Sequence, residues 1–296
     1  MAVAQQLSSH EKDLGGGFKV RRLLPAARRR SVGPFVFFDH FGPVTEQPED
    51  NHDVRPHPHI GLATVSYLFE GAMMHRDSLG TEQLVEPGAV NWMTSGRGIV
   101  HSERKPEALR RSPYVNHGLQ LWVALPEDKE EVEPSFQHVA AADIPELSFG
   151  PARARLIVGE ALGERSPVVP ASPTLYLDLA LPGGVLDLPP LAPELALYPI
   201  EGELRLDGQP MLPHHMQVLE PGRVARIEAA GPARLVVVGG ESVGPRYMYW
   251  NFVSSRKERI LQASDDWAAQ RFTPVPGESD FIPLPATRFT PPEPMS

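Results

Sequence analysis

Two segments carry side chains whose types and spacing can do chemistry. The first is Arg55-Pro56-His57-Pro58-His59. In extended backbone, residues i and i+2 project to the same face, so His57 and His59 set two imidazoles side by side. Pro56 and Pro58 have no N–H to donate, which places the segment at a sheet edge or the start of a strand. The second is Gly96-Arg97-Gly98-Ile99-Val100-His101-Ser102-Glu103. His101 and Glu103 share the same spacing and follow two glycines that permit a tight turn or a close backbone approach. Brought together inside a barrel, the two pairs make three imidazoles and one carboxylate. That mixed nitrogen and oxygen set suits Fe(II), Mn, Ni, Cu or Zn rather than Mg or Ca, which prefer oxygen donors. The plain alternative is that these histidines are solvated loop residues.

The elements that must position these groups are short and β-rich. Phe35–Phe38, Ala63–Phe69, Gln83–Val85, Val90–Met93 and Gly118–Leu125 read as strands. In the last, Leu119, Leu121 and Val123 fall on one face and Gln120 and Trp122 on the other, the period of a half-buried antiparallel strand. Residues 126–150 are acidic and proline-punctuated and read as a connection. Strands then resume at Arg153–Val158, Thr174–Ala180, Glu194–Ile200, Glu203–Leu206, Met216–Leu219, Val224–Glu228 and Ala233–Val238, with Asp207-Gly208 as a hairpin turn. Each half has a Glu-Gly turn (Glu70-Gly71, Glu201-Gly202) and a later Pro-Gly turn (Pro87-Gly88, Pro221-Gly222), so two jelly-roll barrels of about 100 residues are expected. One helix is predicted. Ser255 with Glu258 makes a capping box, Ile260, Leu261, Ala263, Trp267 and Ala268 lie near one face, and the helix ends near Arg271. The proline-rich tail after Pro283 is expected to be extended.

Composition narrows the classes. The 296 residues contain 33 prolines and no cysteine. That excludes disulfide frameworks, zinc fingers, iron–sulfur clusters and thiol nucleophiles, so any metal must bind His, Asp or Glu. A net charge of −9 argues against a direct nucleic-acid partner. No stretch of eighteen apolar residues predicts a membrane span, and residues 1–17 lack the apolar core of a signal peptide, so a soluble cytoplasmic protein is expected. No Walker, dinucleotide or nucleophile-elbow motif is present; Gly15-Gly16-Gly17 lacks the strand–helix context.

The run from Arg55 to Glu103 resembles the metal-binding domain of the pirin family, in the cupin superfamily. The stretches HPHIGLATVSYLFEG (57–71), NWMTSGRGIVHSE (91–103), HGLQLWV (117–123), TLYLDLAL (174–181) and FVFFDHFGP (35–43) carry the resemblance, which covers roughly residues 20–240. It implies an all-β bicupin with a short C-terminal helix: an N-terminal metal-binding cupin domain over 1–135, and a C-terminal cupin domain with helix and tail over 136–296. It also implies one metal, usually iron, held by His57, His59, His101 and Glu103. The second barrel of such proteins usually binds none. Ala63 stands where the cupin motif often carries a Glu, which removes an acidic group near the site but not a ligand.

Two functions follow from the resemblance. One is a quercetin 2,3-dioxygenase that cleaves quercetin or a related flavonol with O2 at Fe(II), carbon monoxide leaving, with Glu103 as ligand or as base for the 3-hydroxyl proton. Phe35, Phe37, Phe38, Trp92 and Trp122 are then candidates to line a planar pocket, or simply barrel core. The other is a non-enzymatic iron-binding regulator that binds a protein partner in a metal- or redox-dependent way, with the arginines of 21–30 or the acidic run 126–133 as contact surfaces. The remaining histidines lack partners at ligand spacing. His214 and His215 are adjacent and would point to opposite faces of a strand. His40 and His75 could sit behind the ligands, and His10, His52, His117 and His138 read as surface or packing residues.

Overall fold

The alternating run at 118–125 is the end of a strand, Tyr114–Ala124, paired antiparallel with Leu62–Glu70 so that Leu119 faces Tyr67 and Val123 faces Ala63. The expected half-burial is not what forms. Leu119 and Leu121 are buried on one face, and Trp122 is buried on the other. The structure is a computed structural model and describes residues 2–15 and 17–287. Part of the proline-rich tail, 288–296, thus lies outside the described residues.

The described residues form two compact units. One contains residues 12–20, 38–141 and the chain from 243 onward. The first five strands of its larger, seven-stranded sheet run Ser135–Val139, Val90–Thr94, Leu62–Glu70, Tyr114–Ala124 and Phe35–Glu46, the last held by this unit from Phe38 onward. A four-stranded sheet orders Val54–His59, Ile99–Arg104, Met73–Asp77 and Glu82–Val85. Phe41 and Leu68 of the first sheet pack with Val85 and Met73 of the second, closing the jelly roll over an apolar layer.

The other unit contains residues 2–11, 21–37 and 142–242. Its seven-stranded sheet begins with Val3–Ser8, which pairs with His215–Leu219. Its four-stranded sheet includes the hairpin Leu204–Leu206 to Gln209–Pro210, turned by Asp207 (φ 50°) and Gly208 (φ 77°) as the sequence predicts. Leucines from both sheets, among them Leu177, Leu197, Leu186 and Leu188, fill the interior together with Ile227 and Val237.

The units do not divide after residue 135. Strand Val3–Ser8 finds its partner more than 200 positions away, and the segment after 243 joins the histidine-bearing unit. Neither pairing leaves a local mark in the sequence.

The helix, Lys257–Ala268, buries Ile260, Ala263 and Trp267, while Leu261 and Ala268 are exposed. The capping box is absent: Arg256 is the N-cap, with no side-chain cap. Glu130 has taken the serines instead. It accepts from the Ser254 hydroxyl (2.8 Å), the Ser255 N–H (2.7 Å) and the Ser255 hydroxyl (3.1 Å), and pairs with the buried guanidinium of Arg246 (2.8 Å). The helix stops short of Arg271, where Gln270 turns to φ 53°. No helix among the described residues is long and apolar enough to cross a membrane.

Truncating one member of a buried ion pair leaves the other charge desolvated. Glu130→Ala is therefore expected to lower unfolding stability by about 3–5 kcal/mol in urea titration, and a loss under about 1 kcal/mol would contradict this role for Glu130.

Candidate metal centre

His57 and His59 lie on the strand Val54–His59, an edge of the four-stranded sheet, as the prolines require. The neighbouring strand Ile99–Arg104 sets His101 directly opposite His57 and Ile99 opposite His59. The register shifts between His101 and Glu103, so that Glu103 faces Val54. The turn leading into this strand needs its glycines. Gly96 has φ 48°, and a Cβ there would lie 1.9 Å from the Val132 carbonyl oxygen. At Gly98 a Cβ would lie 2.8 Å from the Phe272 ring.

The three imidazoles converge. Ring centroids are 4.3 Å apart for His57 and His101, and 5.0 Å for His59 with either neighbour. One ligating atom from each lies within 4.8 Å of the others, and all three residues are buried. Two tautomers are fixed by the backbone. His57 Nδ1–H donates to the Arg55 carbonyl (2.9 Å) and His59 Nδ1–H donates to the Asn251 carbonyl (3.1 Å). A carbonyl only accepts, so Nε2 of both neutral rings carries a lone pair. His59 Nε2 lies 3.1 Å from His101 Nε2, a separation that calls for a proton or a cation between them. His101 Nδ1 and Glu103 Oε1 are buried with no hydrogen-bond partner among the described residues. This donor set fits a transition-metal ion: neutral imidazoles, pinned from behind, with lone pairs turned inward.

The structure brings His57, His59 and His101 into one cluster, and the carboxylate of Glu103 lies outside that cluster. Ala63 is fully buried, opposite Val123 and Thr94. Trp122 meets His59 edge-on at 5.1 Å. Phe37, another pocket candidate, lies under the Arg22 guanidinium.

Of the two histidines that the sequence places as candidates behind the ligands, His75 is buried, cross-strand from Glu103, with its ring 5.3 Å from His101. Its Nε2–H donates to the buried Asp77 carboxylate (3.1 Å), and Phe136 stacks on its other side. Its i, i+2 spacing to Asp77 was the available signal. His40 and His117 form a separate buried pair with Nε2 atoms 2.9 Å apart. His117 is thus a packing residue, whereas His215 bonds the nearby Pro213 carbonyl.

Comparison with known proteins fits this geometry. The pirin family profile matches residues 17–123, and the pirin C-terminal cupin domain matches 176–273. A pirin-like protein of Caulobacter vibrioides is 47% identical over 282 residues, covering 94% of this chain and 97% of that protein. The chain belongs to the pirin family. Within it, a provisionally named quercetin 2,3-dioxygenase of Pseudomonas aeruginosa is 35% identical, covering 90% of this chain and 84% of that one. The crystal structure of a quercetin 2,3-dioxygenase from Acinetobacter baumannii superimposes with a TM-score of 0.88 at 32% identity over 97% of both chains. The two-cupin, nearly all-β pirin architecture expected from the sequence is therefore present.

Electrostatics at this pirin site favour a cation. Burial lowers the His57 pKa to about 4, and burial together with the neighbouring imidazoles holds His59 and His101 well below the usual range. All three are neutral at pH 7 and ready to ligate. Burial pushes Glu103 up to about 7. A divalent ion on the histidines disfavours the neutral acid whether or not the carboxylate bonds to it, so metal uptake expels that proton.

The sign follows. Below about pH 7 the Glu103 proton competes with the cation, so affinity for Zn(II) should fall by up to about tenfold per pH unit, and more steeply below about pH 4, where His57 also protonates. Calorimetric titration between about pH 5 and 8 checks this, and an affinity independent of pH would contradict it.

Proposed function

We propose that this pirin is a metal-dependent dioxygenase that cleaves quercetin or a related flavonol with O2, using Fe(II) held by His57, His59, His101 and Glu103. The observation that carries the reading is the buried imidazole trio, with Nε2 lone pairs set inward by backbone carbonyls. Support for the substrate class comes from the likeness to the Acinetobacter baumannii quercetin 2,3-dioxygenase along 97% of the chain.

Fe(II) supplies a Lewis acid that lowers the pKa of a flavonol 3-hydroxyl and a redox centre suited to O2. The chain supplies the rest. Three of the four proposed ligands are neutral imidazoles and only Glu103 carries charge, so the site keeps a net positive charge that favours the flavonol enolate over the alcohol. The carbonyls of Arg55 and Asn251 hold two of the rings in orientation. Glu103, freed of its proton by metal uptake, is the carboxylate that can accept the 3-hydroxyl proton. Trp122, edge-on to His59, adds an apolar ring beside that ligand. Overall, one O2 adds across the heterocycle of the deprotonated flavonol, one carbon leaves as CO, and the opened ring ends as an ester.

The test is anaerobic loading with Fe(II), then quercetin and air, with flavonol absorbance and CO followed together. Wild-type protein should consume the flavonol and release CO. His101→Ala should abolish turnover, and Glu103→Gln should lower it by about 10²–10⁴-fold if the carboxylate is the base. Iron retained with no flavonol loss and no CO would overturn the reading.

A further inference from the structure

The histidines occupy the inner face of a two-strand ladder. Between them, on the opposite face, lie Pro56, Pro58, Val100, Ser102 and Arg104. The chain after residue 250 covers that back. Val100 and Ile60 pack with Phe252, Ile260, Trp267 and Val275 in one apolar cluster, with Phe272 against it. Polar contacts from five residues of this segment then hold the two strands. Asn251 O accepts from His59, and Val253 N–H donates to the Ile60 carbonyl (3.2 Å). Ile282 N–H donates to the carbonyl of Pro56, next to His57 (2.8 Å). Glu278 accepts from the hydroxyl of Ser102, the residue between His101 and Glu103, and from the guanidinium of Arg104, the residue after Glu103. Asp280 also accepts from Arg104 (2.9 Å).

We infer that Glu278 is a positioning residue for the metal centre. Its carboxylate ties the two residues flanking Glu103 to the chain behind the sheet and so fixes where the second strand presents His101 and Glu103. The physical reason is the register shift. Between His101 and Glu103 the ladder with the first strand is interrupted, and on that side nothing in the pairing pins the spacing of these two donors. Ser102, fully buried at that point, is held by Glu278. A charged carboxylate bridging a hydroxyl and a guanidinium is a strong restraint, because both bonds are charge-assisted or made to a charged acceptor. Glu278 reaches the metal only through the backbone of the strand, so its loss acts on donor geometry rather than on donor identity.

This inference rests on the metal reading of the site, and the experiment separates the two. Metal-free full-length protein is titrated with Co(II) against a competing chelator, recording both the dissociation constant and the visible d–d spectrum. Thermal unfolding of the metal-free protein is followed in parallel. Glu278→Ala is expected to weaken Co(II) binding by about tenfold or more and to change the band positions, with Glu278→Gln in between. Should Glu278→Ala fail to fold, Ser102→Ala removes only one hydroxyl and should still weaken binding by about threefold and shift the spectrum the same way. Variants that are less stable when metal-free, yet bind Co(II) with wild-type affinity and a superimposable spectrum, would overturn the positioning role. Wild-type protein that takes up no Co(II) would instead overturn the metal reading itself.

Discussion

Three imidazoles buried against one another are the constraint on which this structure turns. Neutral rings with converging lone pairs repel, and burial denies them water to soften the repulsion. Such a cluster does not arise from apolar packing. It survives because the chain spends backbone carbonyls on it: Arg55 from two residues away and Asn251 from 192 residues away each take an Nδ1–H and thereby decide which nitrogen looks inward. The unpaired Nδ1 of His101 and Oε1 of Glu103 belong to the same logic, since a buried polar atom left without a partner is costly unless a cation meets the group it belongs to.

The rest of the histidine-bearing unit can be understood as the support for that cluster. The edge strand supplies two donors, its neighbour supplies the third, and the strand beyond brings His75 and Asp77 alongside. The segment after residue 243 then closes the back. Its attachment does not depend on the metal strands alone, because Glu130 gathers Ser254, Ser255 and Arg246 into one buried knot. The other unit presents a contrast. Its strands follow a similar plan, but its interior is filled with leucine, isoleucine and valine side chains, so the same architecture serves there as packing.

What was legible in the sequence was what is local. The i, i+2 spacing of His57 and His59, and of His101 and Glu103, placed each pair on one face because strand geometry is fixed over two residues. Asp207-Gly208 read correctly as a hairpin because the turn is decided by its own dihedrals. Ser255 and Glu258 have the spacing of a capping box, but a buried carboxylate at Glu130, far off in the chain, competes for the serine and wins. Asn251 and Ile282 act through main-chain atoms, which have no residue-type signature at all. His75 carried a usable signal in its spacing to Asp77. Its value became visible only when the sheet order placed it beside His101.

Pro56 and Pro58 have an effect beyond letting the first strand lie at an edge. The carbonyl of Pro56 points away from the neighbouring strand, to the Ile282 N–H. With no N–H at either position, this edge can accept hydrogen bonds but cannot return them. A foreign strand that tried to dock there would leave its own carbonyls unanswered in alternate pairs. The strand that carries two of the histidines is thereby closed to an added strand at Pro56 and Pro58, which are themselves buried, with the Pro56 carbonyl already taken by Ile282.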